Sequence, residues 1–119
     1  MKNTRQIGTE KEQLCSHFLK KNNFIIKKTN YISHYGEIDI IAEKDDTIHF
    51  IEVKSNKNQS DILLYKLTSK KKSKIIKTAL NYITKNNIID KQINFIYMIV
   101  SNNKIRYYDN VIIIDPNKI

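Results

Sequence analysis

The run from Gly36 to Lys54 constrains this chain more than any other part of it. Gly36-Glu37-Ile38-Asp39-Ile40-Ile41-Ala42 and Ile48-His49-Phe50-Ile51-Glu52-Val53-Lys54 are β-branched, apolar segments separated by a polar Lys44-Asp45-Asp46 turn. Both therefore read as strands. In the second, Ile48 and Phe50 face one way, and Ile51 and Val53 the other. Apolar residues on both faces mark a strand buried in the middle of a sheet. Asp39, Glu52 and Lys54 contradict that setting, because acids and lysine are depleted in strands and rarely buried without a partner or a metal ion. Glu52 and Lys54 share a face, about 7 Å apart along the strand. Charge in this pattern at a sheet centre reads as a site.

The rest of the chain supplies cover for that sheet. A first helix is expected from Thr9, where Thr9-Glu10-Lys11-Glu12 has capping-box spacing, with Leu14, Cys15, Phe18 and Leu19 at helical intervals. Lys20-Lys21-Asn22-Asn23 ends it, and a strand follows from Phe24 to Lys28, running on towards Tyr31. Ser55 to Asp61 is polar and loop-like, and Ile62-Leu63-Leu64-Tyr65 is an apolar patch with no assignment. A second helix is expected with Ser69 as its cap and Ile75, Ile76, Ala79, Leu80 and Ile83 as its stripe. Ile93 to Val100 reads as a strand, Asn102-Asn103 as a turn into Ile105 to Tyr108, and Val111 to Ile114 as a short last strand. The order α-β-β-β-α-β-β predicts an α/β fold: one domain over residues 1–119, a central mixed sheet flanked by helices.

Composition narrows the partners. The chain has 21 Lys+Arg against 12 Asp+Glu, a formal net charge of +9, which favours polyanions, nucleic acid first. The abundance of Lys, Asn and Ile offers a second source of that bias, in genome composition. The single cysteine, Cys15, forms no internal disulfide and fits a reducing compartment. No apolar run approaches the roughly 20 residues a membrane span needs, so the expectation is a cytoplasmic protein with no membrane partner.

Two carboxylates from neighbouring strands, with a lysine beside them, suit metal-dependent phosphodiester cleavage. At about 4 Å such a pair repels by roughly 4 kcal/mol at an effective dielectric near 20, so it needs a proton, a cation or distance. Oxygen-only ligation suits Mg²⁺ or Mn²⁺. Lys54 then positions water or neutralises developing charge. The bland readings are a strand-end hydrogen bond for Asp39 and a cross-strand ion pair for Glu52 and Lys54. Glu37 reads as exposed or as a supporting group. Glu12 has two readings, the third residue of a capping box and an acid on the buried helix face that reaches the sheet's polar cluster. His17, His34 and His49 have no zinc spacing with Cys15, and His49 reads as a packed core residue.

These residues carry a resemblance. Gly36-Glu37-Ile38-Asp39-Ile40-Ile41-Ala42 followed by Phe50-Ile51-Glu52-Val53-Lys54-Ser55 resembles the YraN family of bacterial nuclease-like proteins, which is similar to archaeal Holliday-junction resolvases in the PD-(D/E)XK superfamily. The likeness extends over most of the chain, through Lys11-Glu12-Gln13-Leu14, Phe18-Leu19, Asn30, Leu67 to Lys71 and Ala79 to Ile83. It implies a restriction-endonuclease-like fold, Asp39 and Glu52 as ligands of Mg²⁺ or Mn²⁺, Lys54 as catalytic lysine, Glu12 as a further acidic site residue, and Lys71 as a DNA contact. It also makes a homodimer plausible, since resolvase-like relatives act as pairs on two-fold substrates. The chain departs from the family at Asn94-Phe95-Ile96, where the family often has Arg-Phe-Asp, so an ion pair or site support is expected to be missing there.

Lys66, Lys70, Lys71, Lys72, Lys74 and Lys77 would form a basic ridge on the second helix, with Lys70, Lys71, Lys72 and Lys74 as its DNA-binding residues. A solvated helix face is the plainer alternative. No base-reading module is recognisable, so recognition by DNA shape or without specificity is expected. The leading expectation is a metal-dependent DNA endonuclease for branched, junction or nonspecific DNA. The alternative is a non-catalytic nucleic-acid-binding module on a nuclease scaffold, working through partners. A protein-interaction domain without nucleic acid is a third reading.

Overall fold

The computed structural model describes residues 4–55 and 68–112. In chain order the elements are α1 (Thr4–Lys21), β1 (Ile25–Ile32), β2 (Glu37–Lys44), β3 (Thr47–Ser55), α2 (Ser69–Lys85), β4 (Gln92–Ser101) and β5 (Lys104–Tyr108). The strands form one five-stranded sheet in the order β1-β2-β3-β4-β5, so β3 lies at its centre, as its two apolar faces require. β3 pairs antiparallel with β2 and parallel with β4, and α2 lies in the connection that the parallel pair needs. This single α/β domain, a mixed sheet with two helices, is consistent with a restriction-endonuclease-like fold.

The helices cover opposite faces. Cys15 and Leu19 of α1 are fully buried with Ile40, Ala42, Ile51 and Ile96. Ala79 and Tyr82 of α2 pack with Ile38, Ile41, Ile48 and Phe50. Phe50 anchors this second layer, stacked on Phe95 at 5.6 Å and edge-on to Tyr82 at 6.1 Å. Burying one such aliphatic or aromatic side chain is worth about 1.5–3 kcal/mol, so these two layers supply the stability against which charged groups at the sheet centre must be set.

With two glycines in the whole chain, the turns fall to asparagine and aspartate, the side chains that best tolerate left-handed backbone. Asp45 and Asp46 have φ of 52° and 59°, as a two-residue hairpin turn of type I′ demands, and Asn102 and Asn103 repeat the device between β4 and β5.

Three boundaries differ from expectation. α1 starts at Thr4, so Thr9 lies inside the helix and does not cap it. Ile7 stands seven residues before Leu14, and the helical period therefore reaches upstream of Thr9. Glu12 is consequently a mid-helix residue, which removes its capping-box reading. The cap of α2 is Thr68, whose hydroxyl accepts the Lys71 N–H at 3.2 Å, and Ser69 is the first helical residue. Val111 and Ile112 are not strand; the Val111 N–H donates to the Phe95 carbonyl, and Ile112 is buried in the α2 layer. Residues 113 and 114, the Ile62 to Tyr65 patch and Lys66 lie outside the described residues.

Candidate active site

The site forms where the hairpin ladder stops. β2 and β3 pair from Lys44↔Thr47 to Ile40↔Ile51. The alternation of faces slips at Asp39, because Ile38 packs in the α2 layer and Ile40, two residues on, in the α1 layer. Beyond Ile51 the Val53 N–H donates to Asp39 Oδ2 at 2.8 Å, a side-chain acceptor in place of a backbone one. β1 continues to pair with β2 through Tyr31↔Ile38 and Ile32↔Glu37, so only one side of β2 opens. An acid at this position is thus explained by the ladder it completes.

Glu52 is the next residue along β3. Burial, then the nearby Asp39, push its carboxyl up to about 8, while Lys54 and the Asp39 backbone N–H draw it down. Its Oε1 is buried and has no hydrogen-bond partner among the described residues. Asp39 is also raised, by burial first, with the Val53 N–H and Lys54 acting against it. A divalent cation bound between this carboxylate and the half-buried Asp39 would stabilise both charges together, adding to what Lys54 supplies. Among the described residues no group of three His, Cys, Asp or Glu forms a ready-made ligand set, so such an ion would rest on Asp39, Glu52 and water. Mg²⁺ commonly binds through one or two carboxylates and keeps its waters.

Glu52 looks into an open cleft of about 190 Å³ between β3 and α2, lined by Glu37, Lys54, Lys71, Lys74 and Tyr97 among others. Lys54 is exposed on the same face of β3. Lys71 and Lys74 stand on the helical wall; Lys70 and Lys72 are exposed on α2 and do not line the cleft. Glu12 is half-buried on the α1 side, raised by burial and then by Asp39, and eased by a hydrogen bond with Asn30. It therefore flanks Asp39 from the opposite layer and is not part of the cleft wall.

Sequence reasoning missed Tyr97, the parallel partner of Glu52 on β4. Burial, then Glu52, push its phenol up to about 12, so it stays a neutral donor over the neutral pH range. Only strand register could have paired the two. Glu37, read as exposed or supporting, is exposed, lines the cleft, and raises Glu12, Asp39 and Glu52 alike. Asn94 lies three positions from the Glu52 level of the sheet, opposite His49, where it contacts His49 Nδ1 at 3.1 Å, Asp109 at 2.9 Å and the Asn110 N–H at 3.1 Å. Its amide ties β4 to the segment after β5, and Asn94 does not line the cleft. His49 itself is buried against Phe24, as a core histidine should be.

A model of the uncharacterised protein family UPF0102, the YraN family, matches residues 11–112, which include every residue of this site. The chain belongs to that family. A UPF0102 protein of Campylobacter hominis is 42% identical over 107 residues, covering 89% of this chain and 93% of its own. One of Campylobacter jejuni is 44% identical over 101 residues, 84% of this chain and 88% of its own. A third, of a Sulfurovum species, is 38% identical over 105 residues, 87% of this chain and 91% of its own. Those names state no activity. For a UPF0102 protein the chemistry must therefore be argued from Asp39, Glu52 and the cleft beside them.

Proposed function

We propose that this UPF0102 protein is a divalent-metal-dependent DNA endonuclease that recognises DNA by shape or without specificity. The observation that carries the reading is the buried Glu52 Oε1, without a hydrogen-bond partner among the described residues, on a side chain that neighbours Asp39 and lines a cleft with lysines on its rim. Asp39 and Glu52 would hold Mg²⁺ or Mn²⁺. Bound there, the metal would supply charge against the scissile phosphate and lower the pKa of attacking water. The Val53 N–H fixes Asp39, and the partial burial of both carboxylates strengthens their pull on a cation relative to open water. Lys54, on the face that carries Glu52, is placed to orient the nucleophile or offset charge on the phosphate. Lys71 and Lys74 hold the backbone on the α2 wall, with Lys70 and Lys72 contributing to the wider positive field.

The test is cleavage of labelled four-way junction, flap, single-stranded and duplex DNA with Mg²⁺ or Mn²⁺. Wild type is compared with Asp39→Ala, Glu52→Ala and Lys54→Ala. Metal-dependent cutting lost in all three variants supports the reading; cutting that survives Glu52→Ala sinks it. The second reading, a non-catalytic module on this scaffold, is favoured by one observation, the lack of a three-residue ligand set among the described residues. It predicts salt-sensitive DNA binding that is unchanged in the variants and needs no metal.

A further inference from the structure

Resting on the nucleic-acid reading above, we propose that Tyr35 is a stacking platform for an unpaired DNA base at the lip of the cleft. Tyr35 is one of the large hydrophobic residues left exposed, at 45%. It belongs to a turn that is held rigidly. The Ser33 N–H donates to the Gly36 carbonyl at 2.8 Å, and the Tyr35 N–H donates to Ser33 Oγ at 3.0 Å. The Ser33 hydroxyl lies 3.2 Å from the Gly36 carbonyl and 3.1 Å from Thr78 Oγ1. Thr78 is fully buried and donates back to the Lys74 carbonyl at 2.8 Å, so the turn is pinned to α2. An exposed aromatic on a pre-ordered turn loses little freedom when a ligand covers it.

The surroundings specify that ligand. Lys77 Nζ is 5.8 Å from the ring centre, and the His34 ring stands edge-on at 5.5 Å. Gly36 and Glu37, the next two residues, line the cleft itself, opposite Lys71 and Lys74. The helix side of the cleft carries only lysines, Lys71 and Lys74, whereas the strand side mixes Glu37 and Glu52 with Lys54. A phosphate backbone is drawn to the lysines and away from Glu37, which leaves the base to meet Tyr35. A base in continuous duplex is already stacked on both faces and cannot use the ring; an unpaired one can. Tyr35 thus selects forks, flaps and junction-like DNA over blunt duplex, and Lys77 is left beside the phosphate of the stacked nucleotide.

The experiment is fluorescence anisotropy in EDTA, with forked and blunt duplexes, for wild type, Tyr35→Ala and Tyr35→Phe. 2-Aminopurine at the unpaired position reports stacking by quenching, and circular dichroism checks that the variants fold. Wild type should prefer the fork. Tyr35→Ala should lose roughly tenfold or more on the fork, with little change on duplex and no quenching, while Tyr35→Phe keeps both. Equal binding of fork and duplex by wild type, or equal losses on both in Tyr35→Ala, overturns the platform and leaves the nuclease reading intact. No salt-sensitive binding of wild type to either DNA removes both.

Discussion

Replacing Glu52 by Gln keeps the shape of the side chain and removes its charge, and the metal-free protein should become more stable where the wild-type carboxyl is forced to ionise. The group rises from 4.5 to about 8 on folding, through burial and then Asp39. Between those values the folded chain holds a proton that the unfolded chain has released, so stability falls as pH climbs and levels off above about 8. At about 1.4 kcal/mol per pH unit the full effect is roughly 5 kcal/mol; water admitted from the cleft reduces this to about 2–3 kcal/mol. Urea unfolding of wild type and Glu52→Gln in EDTA at pH 5, 7 and 9 measures it. The two proteins should differ little at pH 5, and the variant should lead by about 2 kcal/mol or more at pH 9. Mg²⁺ or Mn²⁺ should close that gap at high pH by stabilising wild type alone, by about 2.7 kcal/mol at a hundredfold excess over its dissociation constant. A difference between the proteins that does not change with pH would refute the claim that Glu52 is buried against its own charge.

Other consequences are simpler to read. Lys71→Ala and Lys74→Ala should each reduce the slope of log K against log salt for duplex DNA by about 1, because each removes one phosphate contact, whereas Glu10→Ala should not reduce it. Thr78→Val keeps the volume but loses the bonds to Ser33 and Lys74, so thermal unfolding should show a loss of about 1–2 kcal/mol and faster proteolysis at the 33–36 turn. Leu19→Ala, fully buried under the α1 face, should cost about 2–5 kcal/mol in chemical denaturation without altering DNA affinity per folded molecule.

Much of the fold was legible because its strands are apolar on both faces. Ile48, Phe50, Ile51 and Val53 placed β3 at the sheet centre, and Asp39, Glu52 and Lys54 stood out against it. The pairing of Tyr97 with Glu52 was hidden because parallel register depends on how a crossover packs, which no local pattern states. The division of the lysines was not legible from helical spacing, because Lys72 lies one turn before Ile76 just as Lys71 lies one turn before Ile75 and Lys74 one turn before Thr78. The true start of α1 was masked by a good capping signal at Thr9, since a capping box can occur inside a helix as well as at its end. The face of Glu12 was still legible, because it stands three and seven residues before the buried Cys15 and Leu19 wherever the helix starts.

The hairpin turn at Asp45–Asp46 acts as a ruler for the site. Asp39 lies six residues before Asp45, and Glu52 lies six residues after Asp46, so each acid stands one residue past Ile40↔Ile51, the last pair of the register the turn sets. One residue added to that turn would shift β3 by a position and swing Glu52 to the α1 side, with no atom of the cleft itself replaced. What the turn protects is a count. Its side chains matter less: Asp46→Gly, which favours the same left-handed backbone, loses only the exposed ion pair with Lys91 and should leave both acids one residue past the ladder.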